Sequence, residues 1–287
     1  MANLLQPQLK NAIEIRKILK EVPITSYLDD GREVSTLLIY LPISNGLTSY
    51  NEFFTAVEKG ILQNFVLSCS EVEEKLGIES EITAEELFKK SIRKLSSHTA
   101  KGELGELILF TLLDVYFGAP KLLSKVAMKT SPNMPVFGAD AVHGQFHNSK
   151  FKLYLGESKL HKSYNSAATK AAKSIISAKE RYIDEFDLLD SHIDFPYLDE
   201  DLRKEILDLL DPFADNDLTN TIHSPCFIGF TEPNLISNAT SEENFIENYK
   251  SLAKKYVESF FMKVEREEGH IEYVSLLILP FSCVDKL

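Results

Sequence analysis

Apolar positions along the chain fall into blocks that alternate between runs of strand length and stripes of helical period. Residues 34–42 (VSTLLIYLP) form a short apolar run between Asp30-Gly31 and Asn45-Gly46, which predicts a buried strand. Over 48–68, Phe53, Phe54, Val57, Ile61, Phe65 and Val66 share one side of a predicted helix. Thr83 stands three residues before Glu86. That is the capping-box pattern, in which two side chains satisfy free amides at a helix start, so a helix is expected from Thr83 to about Leu95, with Ser96-Ser97 breaking it. A third helix is expected over 99–117. Gly118-Ala119-Pro120 stops it, because Gly allows a left-handed cap and Pro cannot continue.

Strand patterns follow over 124–130, 137–146 and 151–159, with Asn148-Ser149 as the turn between the last two. A long helix is predicted over 164–189, with an apolar stripe of Ala167, Ala168, Ala171, Ala172, Ile175, Ile176, Tyr182, Ile183 and Phe186. Four alanines in that stripe permit close packing on a sheet. A short helix over 202–210, a strand over 225–230, a helix over 242–264 and a strand over 273–280 complete the chain. The order from residue 99 onward is helix, three strands, helix, strand, helix, strand. That predicts an α/β fold with a mixed sheet flanked by helices.

Composition narrows the class. The 287 residues are 44% hydrophobic and 26% charged, ordinary globular proportions that exclude disorder as a global description. Cys69, Cys226 and Cys283 are too few and too scattered for a disulfide framework or a C-x-x-C clip, which reads as a reducing cytoplasm. No apolar run approaches a membrane span, and residues 1–20 lack the apolar core of a signal peptide. The net charge of −12 is unevenly spread. Residues 121–181 hold 11 Lys/Arg against 3 acids, whereas 184–220 hold 13 acids against 2 basic residues. The basic stretch can engage a polyanion locally. The acidic stretch reads first as a solvated insertion, with a DNA mimic covering the basic groove and a docking surface for a partner as the other readings.

Three elements concentrate informative polar residues. Glu157-Ser158-Lys159 closes the strand pattern FKLYLG, and strand period two puts Glu157 and Lys159 on one face. A carboxylate beside an ammonium can hold a divalent cation and a water next to a phosphate. Asp140, in the preceding strand pattern, would stand beside Glu157 across a hairpin and supply a second hard oxygen. Glu103 and Glu106 lie three apart on an otherwise apolar helix, where a carboxylate needs a partner such as a metal.

A helix with Glu, a strand with Asp, a strand with Glu-x-Lys and a further helix, in that order, resemble the PD-(D/E)XK nuclease superfamily. Asp140 matches the motif's Asp, with Ala139 in place of the usual Pro, and Glu157 and Lys159 match the (D/E)XK pair. Glu103 or Glu106 matches the helical Glu. Glu106 is favoured, since it follows Lys101-Gly102 at a spacing seen in several branches. Lys101-Gly-Glu-Leu-Gly-Glu106, Gly138-Ala-Asp140 and Gly156-Glu-Ser-Lys159 are further similar to the HamA family, nuclease subunits of Hachiman anti-phage systems that work with the helicase HamB.

The resemblance implies a nuclease domain over 96–287 and an N-terminal extension over 1–95, which the 34–42 strand can join to the same sheet. It implies a Mg²⁺-dependent endonuclease acting on DNA, with Mn²⁺ a plausible substitute, and a HamB-like helicase as partner. Asp140 and Glu157 would ligate the metal, with the Ser158 carbonyl and Glu106 or Glu103 helping, and Lys159 would orient the attacking water. Competing readings are a non-catalytic nucleic-acid-binding or scaffold subunit, and an RNA- or structure-specific repair nuclease.

The remaining motifs add little. Lys162, Lys170, Lys173 and Arg181 lie along the polar side of the 164–189 helix at a spacing that can follow a phosphate backbone, and a solvated basic face explains them equally well. His143 and His147 read as surface or groove residues rather than a zinc pair. There is no G-x-S-x-G elbow and no Walker A loop, so no nucleotide cofactor is expected on this chain.

Overall fold

The apolar runs pair across long sequence separations. The computed structural model describes residues 5–44, 46–48, 50–76, 81–95, 100–129, 138–148, 150–193, 200–218 and 220–287. Its strands are β1 (Lys20–Val22), β2 (Ser26–Tyr27), β3 (Glu33–Tyr40), β4 (Ile43–Ser44), β5 (Leu47–Thr48), β6 (Lys121–Leu123), β7 (Ala141–His147), β8 (Lys150–His161), β9 (Ile222–Thr231) and β10 (Val274–Phe281). Its α-helices are α1 (Ala12–Ile18), α2 (Asn51–Ala56), α3 (Leu62–Val66), α4 (Cys69–Leu76), α5 (Glu81–Lys94), α6 (Ala100–Val115), α7 (Lys125–Met128), α8 (Tyr164–Glu180), α9 (Tyr182–His192), α10 (Glu200–Leu210), α11 (Pro233–Ser237) and α12 (Glu242–Arg266).

The main sheet runs β1-β3-β10-β9-β8-β7-β6, with β2 also pairing with β3. β3, β10, β9 and β8 are parallel neighbours, and the flanking pairs are antiparallel. The fold is therefore α/β with a mixed sheet flanked by helices. β3, from the N-terminal third, lies in the same sheet as β10. Parallel central strands need both faces covered. α8 and α12 cover one face, where Ala167, Ala168, Ala171 and Ala172 are fully buried against Cys226, Ile228 and Phe230 of β9. α6 covers the other, packing Leu107 and Phe110 against Phe227, Leu277 and Leu279. No helix among the described residues is long and apolar enough to cross a membrane.

The buried polar groups fasten the N-terminal third to α6. Asp114 is buried and accepts the Gln8 and Leu9 amides at 2.7 and 3.0 Å. The Arg16 guanidinium donates to the Val115 carbonyl at 2.5 Å and lies over the Tyr116 ring. The Lys121 ammonium is buried and donates to the Leu67 carbonyl at 2.7 Å, so its charge is solvated by helix-end oxygens of the preceding segment.

Several boundaries differ from expectation. The helix expected over 48–68 is two helices, α2 and α3, joined by a π-helical turn at Val57–Ile61, because Gly60 leaves helical geometry. α5 already runs from Glu81, so Thr83 lies inside the helix and does not open it. The strand expected over 124–130 is absent there. β6 ends at Leu123, and Ser124 caps α7 by accepting the Ala127 amide at 3.3 Å. The long helix is interrupted at Arg181, which separates α8 from α9. The Ser96-Ser97 break, and Asn45, Thr99, Thr130, Phe137 and Ser149 of other expected elements, lie outside the described residues.

His143 is a core residue, 1% exposed, rather than a surface or groove residue. Its Nδ1 hydrogen-bonds the Ala119 carbonyl at 2.7 Å and its ring packs on Phe110. Burial pushes its pKa down to about 3. His147 is exposed at the far end of β7.

The acidic segment is more than a solvated insertion. Leu189, Leu202, Ile206 and Leu210 of α9 and α10 are buried against Leu122, Val142, Leu153 and Leu155, so this helix pair covers the β6–β8 end of the sheet. Its acids Asp184, Asp187, Asp190 and Asp201 remain exposed.

The alanine stripe sets the distance between α8 and the sheet. Ala172→Leu would force at least one layer apart and should cost about 1–3 kcal/mol. Thermal unfolding should register this as a lowered midpoint, while the exposed Thr169→Leu should leave it nearly unchanged.

Candidate functional site

β7 and β8 are antiparallel, with Ala141 opposite Gly156 and His147 opposite Lys150. β7 thus begins level with Gly156, while β8 continues to His161 alongside β9. β8 does not end at the Glu-x-Lys triplet as the sequence pattern implies. From Glu157 onward one edge of β8 has no strand beside it among the described residues, and its backbone groups need other partners.

Asp140 supplies them. It stands just ahead of β7 rather than within it. Its Oδ2 accepts the Ser158 amide at 2.8 Å and the Ser158 hydroxyl at 3.1 Å. The N–H and C=O of an extended residue point to the same side, so the Ser158 carbonyl faces the same open edge.

Strand alternation distributes the other groups. Glu157 and Lys159 are level with Cys226 and Ile228, on the α8 face, and Ser158 is level with Phe227, on the α6 face. The Lys159 ammonium donates to the Glu157 carboxylate. Ser174 of α8 also reaches Glu157 and, like Lys159, draws its pKa down. On the opposite face α6 approaches β8 at Gly105, where an added Cβ would lie 3.2 Å from the Ser158 hydroxyl. That close approach brings Glu106 to the open edge. Glu103, one turn earlier, is buried and bound by Lys129 at 2.7 Å.

The electrostatics link these carboxylates. Burial pushes the Glu106 carboxyl up to about 8, and the charges of Asp140, Glu103 and Glu157 add to the rise against Lys129. Burial, then Asp140, pushes Glu157 up to about 7, with Lys159 opposing. Glu106 forms no hydrogen bond or ion pair among the described residues. Lys159 serves Glu157 and Lys129 serves Glu103, so the pocket carries more negative than positive charge. Among the described residues no group of three His, Cys, Asp or Glu stands preassembled as a metal cluster. Asp140 is turned to Ser158, and Glu157 to Lys159.

The structure thus brings together Glu106, Asp140, Glu157, Ser158 and Lys159, with Glu103 set back behind Lys129. The basic residues divide. Lys170, Lys173 and Arg181 are exposed on α8 or at its end. Lys170 is one turn before Ser174 on the same helix stripe, whereas Lys173 turns toward Glu267 at 4.0 Å. Lys162 is held at 2.5 Å by Asp285, which also binds Lys101 at 2.5 Å. Lys129, Ser174 and Glu185 were not singled out by spacing. Glu185 alone carried a signal, as a charged residue between Tyr182 and Leu189 on the buried stripe of α9.

These features define an α/β protein whose central sheet opens at one strand edge onto a half-buried site of carboxylates and one lysine. The HamA family model matches residues 16–287, nearly the whole chain, and the chain belongs to that family, which associates it with Hachiman anti-phage defence. Comparison with curated proteins gave no match.

The raised Glu106 carboxyl has a measurable consequence. The folded state holds this proton to about pH 8, against 4.5 for an ordinary carboxyl, so it binds more protons across that window and loses stability as pH rises through it. Glu106→Gln removes the term. In chelator, the variant should melt above wild type near pH 8, by about 2–4 °C for each kcal/mol relieved, and the gap should close toward pH 5. A gap that does not change with pH would contradict the electrostatic account.

Proposed function

We propose that this chain is a divalent-metal-dependent DNA endonuclease, the effector subunit of a bacterial anti-phage system, controlled by a partner helicase of the HamB kind. The observation that carries the reading is the open edge of β8, where Asp140, Glu157, the Ser158 carbonyl and Glu106 present hard oxygen donors around one lysine. The donor set suits Mg²⁺ or Mn²⁺, and the charge supports the fit. Carboxylates that raise one another's proton affinity have unmet need of a cation.

In this reading Asp140, Glu157 and the Ser158 carbonyl hold the cation, with Glu106 assisting from α6 and Glu103 kept in reserve by Lys129. The cation supplies Lewis-acid stabilisation of charge on a phosphodiester. The chain's own groups do the rest. Lys159, paired with Glu157, would orient the attacking water and offset charge building on the phosphate. Its side chain is half-buried. Lys170 lies on the same helix stripe as Ser174 and contacts the DNA backbone near the scissile phosphate. Arg181 extends that track at the far end of α8, and Lys162 and Lys173 contribute less because Asp285 and Glu267 pair with them.

Plasmid cleavage with Mg²⁺ or Mn²⁺, with and without the helicase, tests the reading. Glu157→Ala and Lys159→Ala should each lower the rate by about 10²–10⁴-fold. Absence of metal-dependent cleavage under every condition would favour a binding or scaffold subunit, and cleavage of RNA alone would favour an RNase. DNA affinity measured against salt should distinguish the lysines. Lys170→Ala should reduce the slope of log K against log salt by about 0.9, while Lys173→Ala should change it by clearly less.

A further inference from the structure

The segment that carries Asp140 is held from behind by a residue of the acidic stretch. Glu185, on α9, is 1% exposed. Its Oε1 accepts the Ala139 backbone amide and the Lys125 ammonium, the latter at 2.8 Å. Its Oε2 is buried without a hydrogen bond. Gly138 completes the junction. Its φ is +107°, and a Cβ there would lie 1.8 Å from Glu185 Oε1 and 2.4 Å from Lys125 Nζ. Three elements, α7, residues 138–140 and α9, therefore meet at one carboxylate.

The register shows what this junction prevents. Continuing the β7–β8 ladder past Ala141–Gly156 would set Ala139 opposite Ser158 and close the open edge. Glu185 takes the Ala139 amide instead. The Ser158 amide is then left to Asp140, and the Ser158 carbonyl has no strand partner among the described residues. A buried ion pair is poor evidence of stabilisation by itself, because desolvation offsets the attraction. Here the pair fixes a backbone turn one residue from Asp140.

We propose that Glu185 is the positioning residue of Asp140. By capturing the Ala139 amide it ends β7 early and holds the Asp140 backbone still when the side chain turns to a cation. The inference rests on the metal-site reading above and adds a residue to it. It also gives the acidic segment a role on its buried side, apart from anything its exposed acids do.

The test is Mn²⁺ binding by calorimetry to the full chain, for wild type, Asp140→Ala, Glu185→Ala, Glu185→Gln and Gly138→Ala. Thermal unfolding of each variant controls for folding. Amide exchange of the peptide spanning 138–146 reports the backbone directly. Glu185→Ala should weaken Mn²⁺ binding by about tenfold and speed exchange in that peptide. Glu185→Gln keeps an oxygen acceptor for the Ala139 amide and should weaken binding less. Gly138→Ala, which displaces Glu185, should resemble Glu185→Ala, and it carries the test with Glu185→Gln if the alanine variant does not fold. Folded Glu185 variants that bind Mn²⁺ as wild type does, while Asp140→Ala loses binding, would overturn the positioning role and leave the metal site standing. A wild-type chain that binds no Mn²⁺ would overturn both.

Discussion

The structure turns on a mismatch in strand length. β7 starts at Ala141, yet its partner β8 runs on to His161, so among the described residues no strand pairs with the end of β8 on that side. An open edge inside a sheet is normally a liability, and proteins cover or charge such edges. Here the covering group is a carboxylate. Asp140 occupies the place a strand would take, satisfies the Ser158 amide, and keeps a second carboxylate oxygen for other use. Every other feature of the site follows from what can reach that edge. Glu157 and Lys159 reach it from within β8, Ser174 from the α8 layer, and Glu106 from the α6 layer.

The two helical layers reach the edge by opposite means. α8 comes close because its inner stripe is alanine, which places Ser174 near Glu157. α6 comes close at a single residue, Gly105, and is otherwise packed with large apolar side chains. A helix so apolar cannot leave carboxylates unpartnered without cost. Lys129 meets that cost for Glu103. Nothing among the described residues meets it for Glu106, whose proton affinity rises instead. A buried carboxylate with no lysine beside it would gain more from a cation than one already paired, which is why Glu106 matters more to the proposed reading than Glu103.

Much of this was legible in the sequence because it depends on period and order. Alternation in FKLYLGESK fixes Glu157 and Lys159 on one face, and the hairpin spacing brings Asp140 to them. The alanine stripe, the apolar α12 and the core strands are likewise consequences of pattern, and their boundaries moved by only a few residues. What period could not show was how strands of unequal length pair. Asp140 lies outside β7, and β8 runs past the triplet, because pairing with β9 sustains β8 after β7 has turned away. His143 departs from expectation for a different reason. α6 covers one side of β7 and α9–α10 the other, so both faces at that level are buried. Ser124 falls within the strand pattern over 124–130, whereas its hydroxyl caps a helical turn.

The acidic stretch shows how charge counted along a sequence differs from charge arranged in a fold. Its thirteen acids invite a single explanation from net charge, whether solvation, mimicry of DNA or a docking surface for a partner. Glu185 faces the core and holds Ala139, while Asp184 and Asp187 on the same helix face solvent. On the nuclease reading proposed above, one segment can therefore position the site from its inner side and repel DNA from its outer side. Removing it whole would take away both effects at once. A gain in cleavage from lost repulsion would be masked by displacement of Asp140. The two roles separate only when the exposed acids are neutralised and Glu185 is kept, because the backbone turn at Gly138–Ala139 then survives while the outward field is removed.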